Sequence, residues 1–414
     1  MPSSREDLAP SGAKARFEAN VAAIRLARTL TDQDRPATAG EQRVLARWSS
    51  WGALPDVFDT RKPDWEAERD QLRALLSGEE WDAAARTTLN AHYTDPAIAG
   101  QMWRALDALG FRGGSVLEPS SGLGTFIGLA PPAADMTGIE LDPVTAQISR
   151  ALYPHAQVHA ESFADTRLPE GSFDATIGNV PFSDVALHDR VHNPNKHSMH
   201  NHFILKSLAL TRPGGLVAVL TSRYTMDSQN PGARREMNLM ADLVGALRLP
   251  AGAHRRTAGT DVVTDLLILR RRADGDPVRD DLWETVAPIT VDGQTLRMNR
   301  YFDQHPEHVL GQIGVETGQY GRTTLTVTGD LDRLDADLAD ALDQITFTAR
   351  RTGLTLTEAP AARQTRPVAG APSPADQWAG TIVETGSGFG TVTEDGIRAN
   401  WRSLVGSEMC ISDR

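Results

Sequence analysis

The order of apolar and polar residues divides the chain into stretches with two different periods. Over residues 13–89 apolar positions recur at the three- to four-residue spacing of a helix, and we predict a helical N-terminal region over residues 1–90. From residue 115 onwards, short apolar runs with the length of buried strands alternate with helical segments. This alternation predicts an α/β domain with a doubly wound, mainly parallel sheet over residues 91–275. The runs are Ser115–Leu117, Met136–Ile139, Ala175–Ile177, Leu216–Leu220 and Asp265–Leu269.

The pattern after this domain is weaker. We predict an accessory α+β extension over residues 276–358, with an extended stretch at Ile289–Leu296 and a short helix that begins near Asp330. Residues 359–377 are rich in proline and alanine and are typical of a linker.

Residues 378–414 begin with alternating β-branched residues and glycine, which indicates the start of a small β unit. The last eight residues resemble the read-through of a sequencing adapter more than natural protein. We therefore expect a truncated fragment in which Cys410, the single cysteine, has no functional role.

Composition excludes several classes of protein. One cysteine allows neither an internal disulfide framework nor a cysteine-based zinc site. No apolar run approaches the roughly 20 residues that span a membrane, and the start of the chain lacks a secretory signal, so we expect a cytoplasmic protein with no membrane partner. A net charge of −12 argues against nucleic-acid binding over the whole surface but permits a local basic face. The sequence also contains no phosphate loop of the ATPase type.

Two strand ends carry acidic residues beside glycine. The first predicted strand ends at Glu118 and is followed by Gly122 and Gly124, which let the backbone pass close to a nucleotide-like ligand. The second ends at Glu140, where a carboxylate can accept hydrogen bonds from both hydroxyls of a ribose. A nicotinamide dinucleotide and S-adenosylmethionine both satisfy this pattern.

The tetrapeptide Asn179-Val180-Pro181-Phe182 follows the strand at Ala175–Ile177 and distinguishes the two ligands. The lone pair of an adenine amino nitrogen is delocalised into the ring, so a methylating site has to draw it towards the incoming methyl group. The Asn179 side-chain oxygen and the Val180 carbonyl could accept the two N–H bonds while Phe182 stacks on the base. A nicotinamide dehydrogenase leaves the tetrapeptide unexplained.

These elements, in this order, resemble the adenine-N6 class of amino-methyltransferases, with its strand-end acids, G-x-G and [DNS]-P-P-[FYW] pattern. Over about residues 48–325 the chain looks most like the methyltransferase-like region at the front of large phage and plasmid proteins that also carry an SNF2-type helicase. Further motifs of the resemblance are Trp51-Gly52, His92 to Pro96, Thr221 to Asp227 and Ala258 to Val263.

The resemblance implies a Rossmann-like methyltransferase sheet, S-adenosylmethionine as cofactor and DNA as partner, with base flipping into the site. It places Asn179, Val180, Pro181 and Phe182 around the target base. It also implies fusion to a helicase region that is absent from this chain. The cofactor residues that it implies are Tyr93, Thr94, Glu118, Pro119, Gly122, Gly124, Glu140, Ser162 and Phe163.

Two positions depart from the family pattern. Val180 stands where active enzymes usually have proline, which would fix the φ that aims the carbonyl. Ser162 stands where an acid commonly meets the adenine amino group of the cofactor, although Glu161 precedes it and Phe163 can pack on the adenine ring. Both departures favour an alternative, a DNA-docking module that keeps the fold and has lost turnover. A third reading keeps the chemistry with RNA or protein glutamine as acceptor.

A basic face for nucleic acid is expected near the base site. The histidines between residues 188 and 202 do not form a convincing metal set, and we assign no metal; a mobile loop over the base pocket fits this stretch better. Between residues 221 and 272 arginines outnumber acids. The residues that we expect at phosphates are Lys196, His200, Arg223, Arg234, Arg235, Arg255 and Arg256.

Overall fold

The computed structural model describes residues 10–52, 54–87, 94–254, 262–317 and 323–357, together with the backbone of three later strands. The chain divides into two compact units, Met1–Thr357 and Glu358–Arg414. The second unit contains a three-stranded antiparallel sheet. The helices of the described residues include none with the length and apolar character needed to cross a membrane.

Four helices occupy the N-terminal region because each buries one apolar face. The first helix covers Phe17, Val21 and Ile24 with its neighbours, and the second begins with a capping box in which Thr38 and Glu41 satisfy each other's backbone N–H groups. The elements are α1 (Ala13–Asp32), α2 (Ala39–Leu45), α3 (Glu66–Leu75) and α4 (Gly78–Thr87), with short 3-10 helices at Pro55–Val57 and Pro63–Trp65.

A seven-stranded sheet forms the centre of the first unit, in the order β3-β2-β1-β4-β5-β7-β6. All neighbouring pairs are parallel except those of β7, which runs antiparallel to β5 and β6. This strand order is the methyltransferase topology. The strands are β1 (Gly114–Glu118), β2 (Ala134–Glu140), β3 (Gln157–Ala160), β4 (Phe173–Asn179), β5 (Thr211–Ser222), β6 (Ala241–Leu249) and β7 (Thr264–Arg271).

Helices cover both faces of the sheet, and alternate residues of each strand point to opposite sides. On β1, for example, Val116 packs in one apolar cluster and Leu117 in the other. The helices between the strands are α5 (Pro96–Ala108), α6 (Thr125–Leu129), α7 (Pro143–Leu152), α8 (Met199–Leu210), α9 (Tyr224–Asp227) and α10 (Gly232–Met240).

Two hairpins and a long helix follow the sheet. The helix at Leu334–Thr352 has 19 residues, and its apolar face packs in the same cluster as α5 and one side of the sheet. The elements are β8 (Val286–Val291), β9 (Gln294–Asn299), α11 (Arg300–Gln304), β10 (Gln312–Thr317), β11 (Thr323–Thr328) and α12 (Leu334–Thr352), with 3-10 helices at Leu282–Glu284 and Pro306–His308. The second unit contains β12 (Ile382–Thr385), β13 (Gly388–Thr393) and β14 (Gly396–Trp401).

The predicted fold class is confirmed, including the N-terminal helices, and all five predicted runs are strands of the sheet. Two strands were not predicted. β3 has only four residues, and β6 contains the charged residues Asp242 and Arg248, which disguise a buried strand. Both charges are buried because they are paired, Asp242 with Arg272 at 3.0 Å and Arg248 with Asp265 at 2.8 Å. The helix expected near Asp330 is long rather than short.

Candidate active site

Three polar strand ends meet at one edge of the sheet. β1 lies between β2 and β4, so Glu118 at the end of β1 has Glu140 on one side and Asn179 on the other. The chain order of the strands reverses between β1 and β4, and ligands of open α/β sheets bind outside the carboxyl ends of strands at such a point.

A cavity of about 1190 Å³, including its open mouth, lies over this edge. It brings together most of the predicted cofactor and base residues. The predicted residues that line it are Thr94, Glu118, Pro119, Gly122, Glu140, Ser162, Phe163, Asn179, Val180, Pro181 and Phe182.

Glu140 is fixed by the backbone around it. Its Oε2 accepts a hydrogen bond from the N–H of Gly122 at 2.8 Å, and its Oε1 accepts one from the N–H of Asp142 at 2.8 Å. Burial raises the pKa of Glu140 to about 7, with Asp142 adding to the rise and the backbone N–H groups opposing it. Each carboxylate oxygen keeps a further lone pair for a ligand hydroxyl.

Glu118 lies deeper in the cavity and is 2% exposed. Its Oε2 accepts a hydrogen bond at 3.2 Å from the N–H of Ile127, which lies in the short helix α6. Burial raises the pKa of Glu118 well above its usual range, and the neighbouring Glu140 raises it further. The floor of the cavity is therefore acidic, and burial makes both of its carboxyl groups harder to ionise.

The tetrapeptide leaves the sheet at the end of β4. Asn179 pairs in register with Leu220 of β5, and the N–H of Val180 donates a hydrogen bond to the Leu220 carbonyl at 3.0 Å. Proline at this position would have no N–H to donate. The strand pair thus extends one residue past β4 and fixes Val180, which is 1% exposed, while Phe182 stays partly exposed in the cavity.

The loop after β3 is held in place by a buried lysine of α8. Lys206 of α8 is fully buried and donates to the carbonyls of Phe163 at 2.6 Å and Thr166 at 3.1 Å, and to Asp189 at 3.0 Å. Phe163 packs against Phe203 with ring centroids 4.8 Å apart. The Ser162 hydroxyl, in turn, accepts a hydrogen bond from the N–H of Ala164 at 3.3 Å.

Asp189 connects the segment after the tetrapeptide to the same lysine. Burial alone would raise the pKa of Asp189, but the His192 N–H, Lys206 and His202 outweigh it and hold that pKa below its usual range. The Asn193 side chain donates to two carbonyls of this segment and accepts the His197 N–H. Side chains of Asp189 and Asn193 therefore hydrogen-bond this segment internally and to Lys206, and its role as a mobile loop over the base pocket stays a prediction.

The structure does not place every predicted residue at the cavity. Tyr93, Arg255 and Arg256 fall outside the described residues. Gly124 does not line the described part of the cavity; its φ is +91°, and a Cβ there would meet the Tyr153 ring at 2.9 Å, so this glycine allows the start of α6 to approach α7.

The residues expected at phosphates separate into two groups. His200 is 3% exposed and its Nε2 lies 3.0 Å from the Ser198 hydroxyl; Arg234 is 1% exposed and donates to three carbonyls. Because both side chains are buried, neither can contribute to an exposed DNA-binding face. Lys196 and Arg235 are exposed, and Arg223 is partly exposed with its guanidinium 4.3 Å from the centre of the Tyr224 ring.

The cavity also contains residues that the sequence analysis did not single out. Ser50 and Arg86 from the N-terminal helical region, Thr145 from α7 and Leu141 beside Glu140 all line it. No sequence motif marked Ser50 and Arg86, because the apolar pattern of the N-terminal region indicates only helices that pack.

A small cluster of possible metal ligands lies apart from the cavity. His305, Glu307 and His308 bring their ligand atoms within 4.8 Å of one another. The acid already hydrogen-bonds His305 at 3.1 Å, and His308 hydrogen-bonds the Tyr301 hydroxyl at 2.8 Å. We assign no ion to this cluster.

Comparison with known proteins gives two curated relatives. The defense against restriction protein B of Escherichia phage P1 is 30% identical over 272 residues, which are 64% of this chain and 12% of the phage protein. The type II methyltransferase M.XamI of Xanthomonas campestris pv. amaranthicola is 28% identical over 244 residues, which are 52% of this chain and 45% of that enzyme. The chain thus spans less than half of either relative.

No protein-family model matches the sequence. Among solved structures, the methyltransferase subunit of a type I restriction-modification system from Streptococcus thermophilus is 13% identical, with a TM-score of 0.40 over 83% of this chain and 92% of that one. From its strand order and its two sequence relatives, the chain is a methyltransferase-fold protein related to a phage protein of defense against restriction and to a type II methyltransferase.

Proposed function

We propose that the protein is an S-adenosylmethionine-dependent DNA methyltransferase that acts on the amino group of adenine, N6. The observation that carries this proposal is a cavity that is lined both by the tetrapeptide Asn179–Phe182 and by the acids at the ends of β1 and β2. The relationship to a type II methyltransferase supports it.

The residues of the cavity suit such a cofactor. Glu140 offers oxygen acceptors for ribose hydroxyls, and Phe163 and Leu141 offer apolar surface for an adenine ring. The Ser121 hydroxyl lines the cavity, is buried and has no hydrogen-bond partner among the described residues, so it is available to a ligand. When bound, the cofactor would supply an electrophilic methyl group on a positively charged sulfur.

The protein's own part in the reaction is to position and polarise the base. The Asn179 side-chain oxygen and the Val180 carbonyl would accept the two amino hydrogens of the adenine, which draws the nitrogen lone pair out of the ring. Phe182 would stack on the base, and the buried surroundings strengthen these hydrogen bonds by excluding water. The methylated nitrogen would carry a positive charge and would lose one proton to water at the open mouth of the cavity, so no general base with a tuned pKa is required.

One observation favours the DNA-docking alternative. The hydroxyl of Ser162 accepts the Ala164 N–H and carries no charge, so it is a poor replacement for the acid that the family resemblance implies at this position. Glu161, the preceding residue, also lines the cavity and could instead accept a hydrogen bond from the adenine amino group of the cofactor. Exposed Lys196 and Arg235, with Arg223, would hold DNA phosphates in either case; fusion to a helicase remains a prediction.

Methyl transfer tests the proposal directly. Incubation with S-adenosylmethionine labelled in its methyl group and mixed-sequence DNA is expected to give labelled N6-methyladenine. Parallel reactions with RNA and with glutamine-containing protein identify another acceptor if DNA is the wrong one. Binding of DNA with a steep salt dependence and no incorporation into any acceptor would establish the docking module instead.

Cofactor affinity is expected to increase as the pH rises from about 6 to 8. Glu140 has a pKa of about 7 and accepts hydrogen bonds from both ribose hydroxyls only when it is ionised. One proton released gives at most a tenfold change in Kd per pH unit, and titration calorimetry with S-adenosylhomocysteine measures it.

Glu140→Gln is the control, because it keeps the size of the side chain and removes its charge. The variant should bind roughly tenfold to a hundredfold more weakly at pH 8 and lose most of the pH dependence. Residual dependence would belong to Glu118, which faces the same cavity. An unchanged pH profile of cofactor affinity in Glu140→Gln would show that Glu140 does not bind the ribose.

The raised pKa of Glu140 also affects the stability of the free protein. Between about pH 4.5 and 7 the folded state retains a proton on Glu140 that the unfolded chain has lost. Glu140 therefore contributes less to the free energy of unfolding as the pH rises to about 7.

A further inference from the structure

The N-terminal helices form part of the wall of the cofactor cavity. Helices α1, α2 and α4 pack on α7, the helix that follows Glu140, and share an apolar cluster with Val144 and Ile148. The Trp48 indole N–H donates to the Thr145 hydroxyl at 3.2 Å, and that hydroxyl donates to Asp142 at 2.7 Å. The Asp142 N–H in turn donates to Glu140. The N-terminal region is therefore connected to Glu140 through the side chains of Trp48 and Thr145 and through Asp142.

Ser50 is held in an unusual conformation at this wall. Its φ is +55°, in the left-handed region that residues with a side chain rarely adopt, and it is 3% exposed. The fully buried Asn20 fixes it by donating to the Ser50 carbonyl at 2.7 Å and accepting the Ser49 N–H at 2.9 Å. Strained backbone of this kind is concentrated at ligand clamps and active sites.

Arg86 reaches the cavity from the last turn of α4. The start of this helix is fixed by Glu80, which accepts the Ser77 N–H at 2.7 Å and pairs with Arg28 at 2.8 Å. Ala84 of the same helix is fully buried in the N-terminal cluster. The position of Arg86 beside the cavity is therefore set by packing and not by its own side chain.

Acidic residues outnumber basic residues in the described lining of the cavity. Glu118, Glu140 and Glu161 are its acids, and Arg86 is its one cation among the described residues. S-adenosylmethionine carries two positive groups, a sulfonium and an ammonium, and one negative group, the carboxylate of its methionine part. The acids complement the positive groups, whereas the carboxylate has Arg86 as its one charged complement in the described lining.

We propose that Arg86 and Ser50 bind the methionine carboxylate of the cofactor, so that the N-terminal helical region completes the cofactor site. The inference rests on the proposed cofactor. A guanidinium presents paired N–H donors that match a carboxylate, and Ser50 adds a hydroxyl donor to the same wall. The site would thereby distinguish an adenosine that carries an amino acid from one that does not.

The test compares two ligands that differ in this group. S-adenosylhomocysteine has the carboxylate, and 5′-methylthioadenosine lacks the amino-acid part. Arg86→Ala should weaken binding of S-adenosylhomocysteine by about tenfold to a hundredfold and leave binding of 5′-methylthioadenosine within about twofold, as measured by calorimetry. Arg86→Lys, which keeps the charge, should recover part of the loss.

Arg25→Ala is the matched control, since Arg25 is exposed on α1 and does not line the cavity. Equal losses for both ligands in Arg86→Ala would overturn the proposal and show that Arg86 only ends its helix. No loss for either ligand would overturn it as well. If the parent protein binds neither ligand, the cofactor assignment itself fails; if the parent binds both and the variant is unchanged, only the assignment of Arg86 fails.

Discussion

Replacing Asn179 with alanine is expected to lower the rate of methyl transfer by about a hundredfold to a thousandfold while cofactor affinity stays almost unchanged. The side-chain oxygen is proposed to act on the amino group of the base as its nitrogen gains positive character, and the loss of one such preorganised polar group has this magnitude in other enzymes. Single-turnover methylation of DNA measures the rate, and calorimetry with S-adenosylhomocysteine measures the affinity.

Asn195→Ala provides a matched control. Asn195 is exposed, its side chain donates to Glu236 at 2.7 Å, and it does not line the cavity. This variant should keep the parent's rate. Similar rates for Asn179→Ala and the parent would remove Asn179 from the catalytic role, and a large loss of cofactor affinity would make it a cofactor residue instead.

Lys206→Met is expected to lower the free energy of unfolding by about 3–5 kcal/mol, because the substitution leaves the buried Asp189 without its cation. Three carbonyls of the loop that carries Phe163 also lose their donor. Unfolding in urea measures the effect, and the same variant should bind S-adenosylhomocysteine more weakly because Phe163 lines the cavity.

Lys14→Met is the control that tests whether the large loss of stability expected in Lys206→Met comes from the burial of the lysine. Lys14 pairs with Glu68 at 2.6 Å, but half of its side chain is exposed, and a pair of this kind contributes at most about 1 kcal/mol. Equal losses of stability in the two variants would show that burial does not increase the contribution of Lys206 to the free energy of unfolding.

The fold could be predicted from the sequence where apolar runs were uninterrupted. Strands such as β5 carry a long buried apolar stretch, and the acids at Glu118 and Glu140 mark the ends of their strands. Strand β6 escaped prediction because its buried charges are neutralised by partners on other segments, Arg272 and Asp265, which no local pattern reveals.

The candidate site could be predicted only where it follows a motif. The tetrapeptide and Glu140 are recognisable from their neighbours in sequence, whereas Ser50 and Arg86 reach the cavity through the packing of α1 and α4 on α7. The burial of single side chains could not be predicted from the sequence either. Arg234 is a residue type that commonly binds phosphate, but in this fold its guanidinium donates to three backbone carbonyls.

The hydrogen bond from Val180 to Leu220 changes how the tetrapeptide should be recognised in other sequences. Proline restrains the second position through its ring, which acts before the chain folds, whereas valine is restrained by a neighbouring strand, which acts only in the folded protein. Either residue leaves the carbonyl of that position free to accept. A search pattern that demands proline selects one means of restraint and discards the other, so valine at this position is not by itself a mark of a lost enzyme.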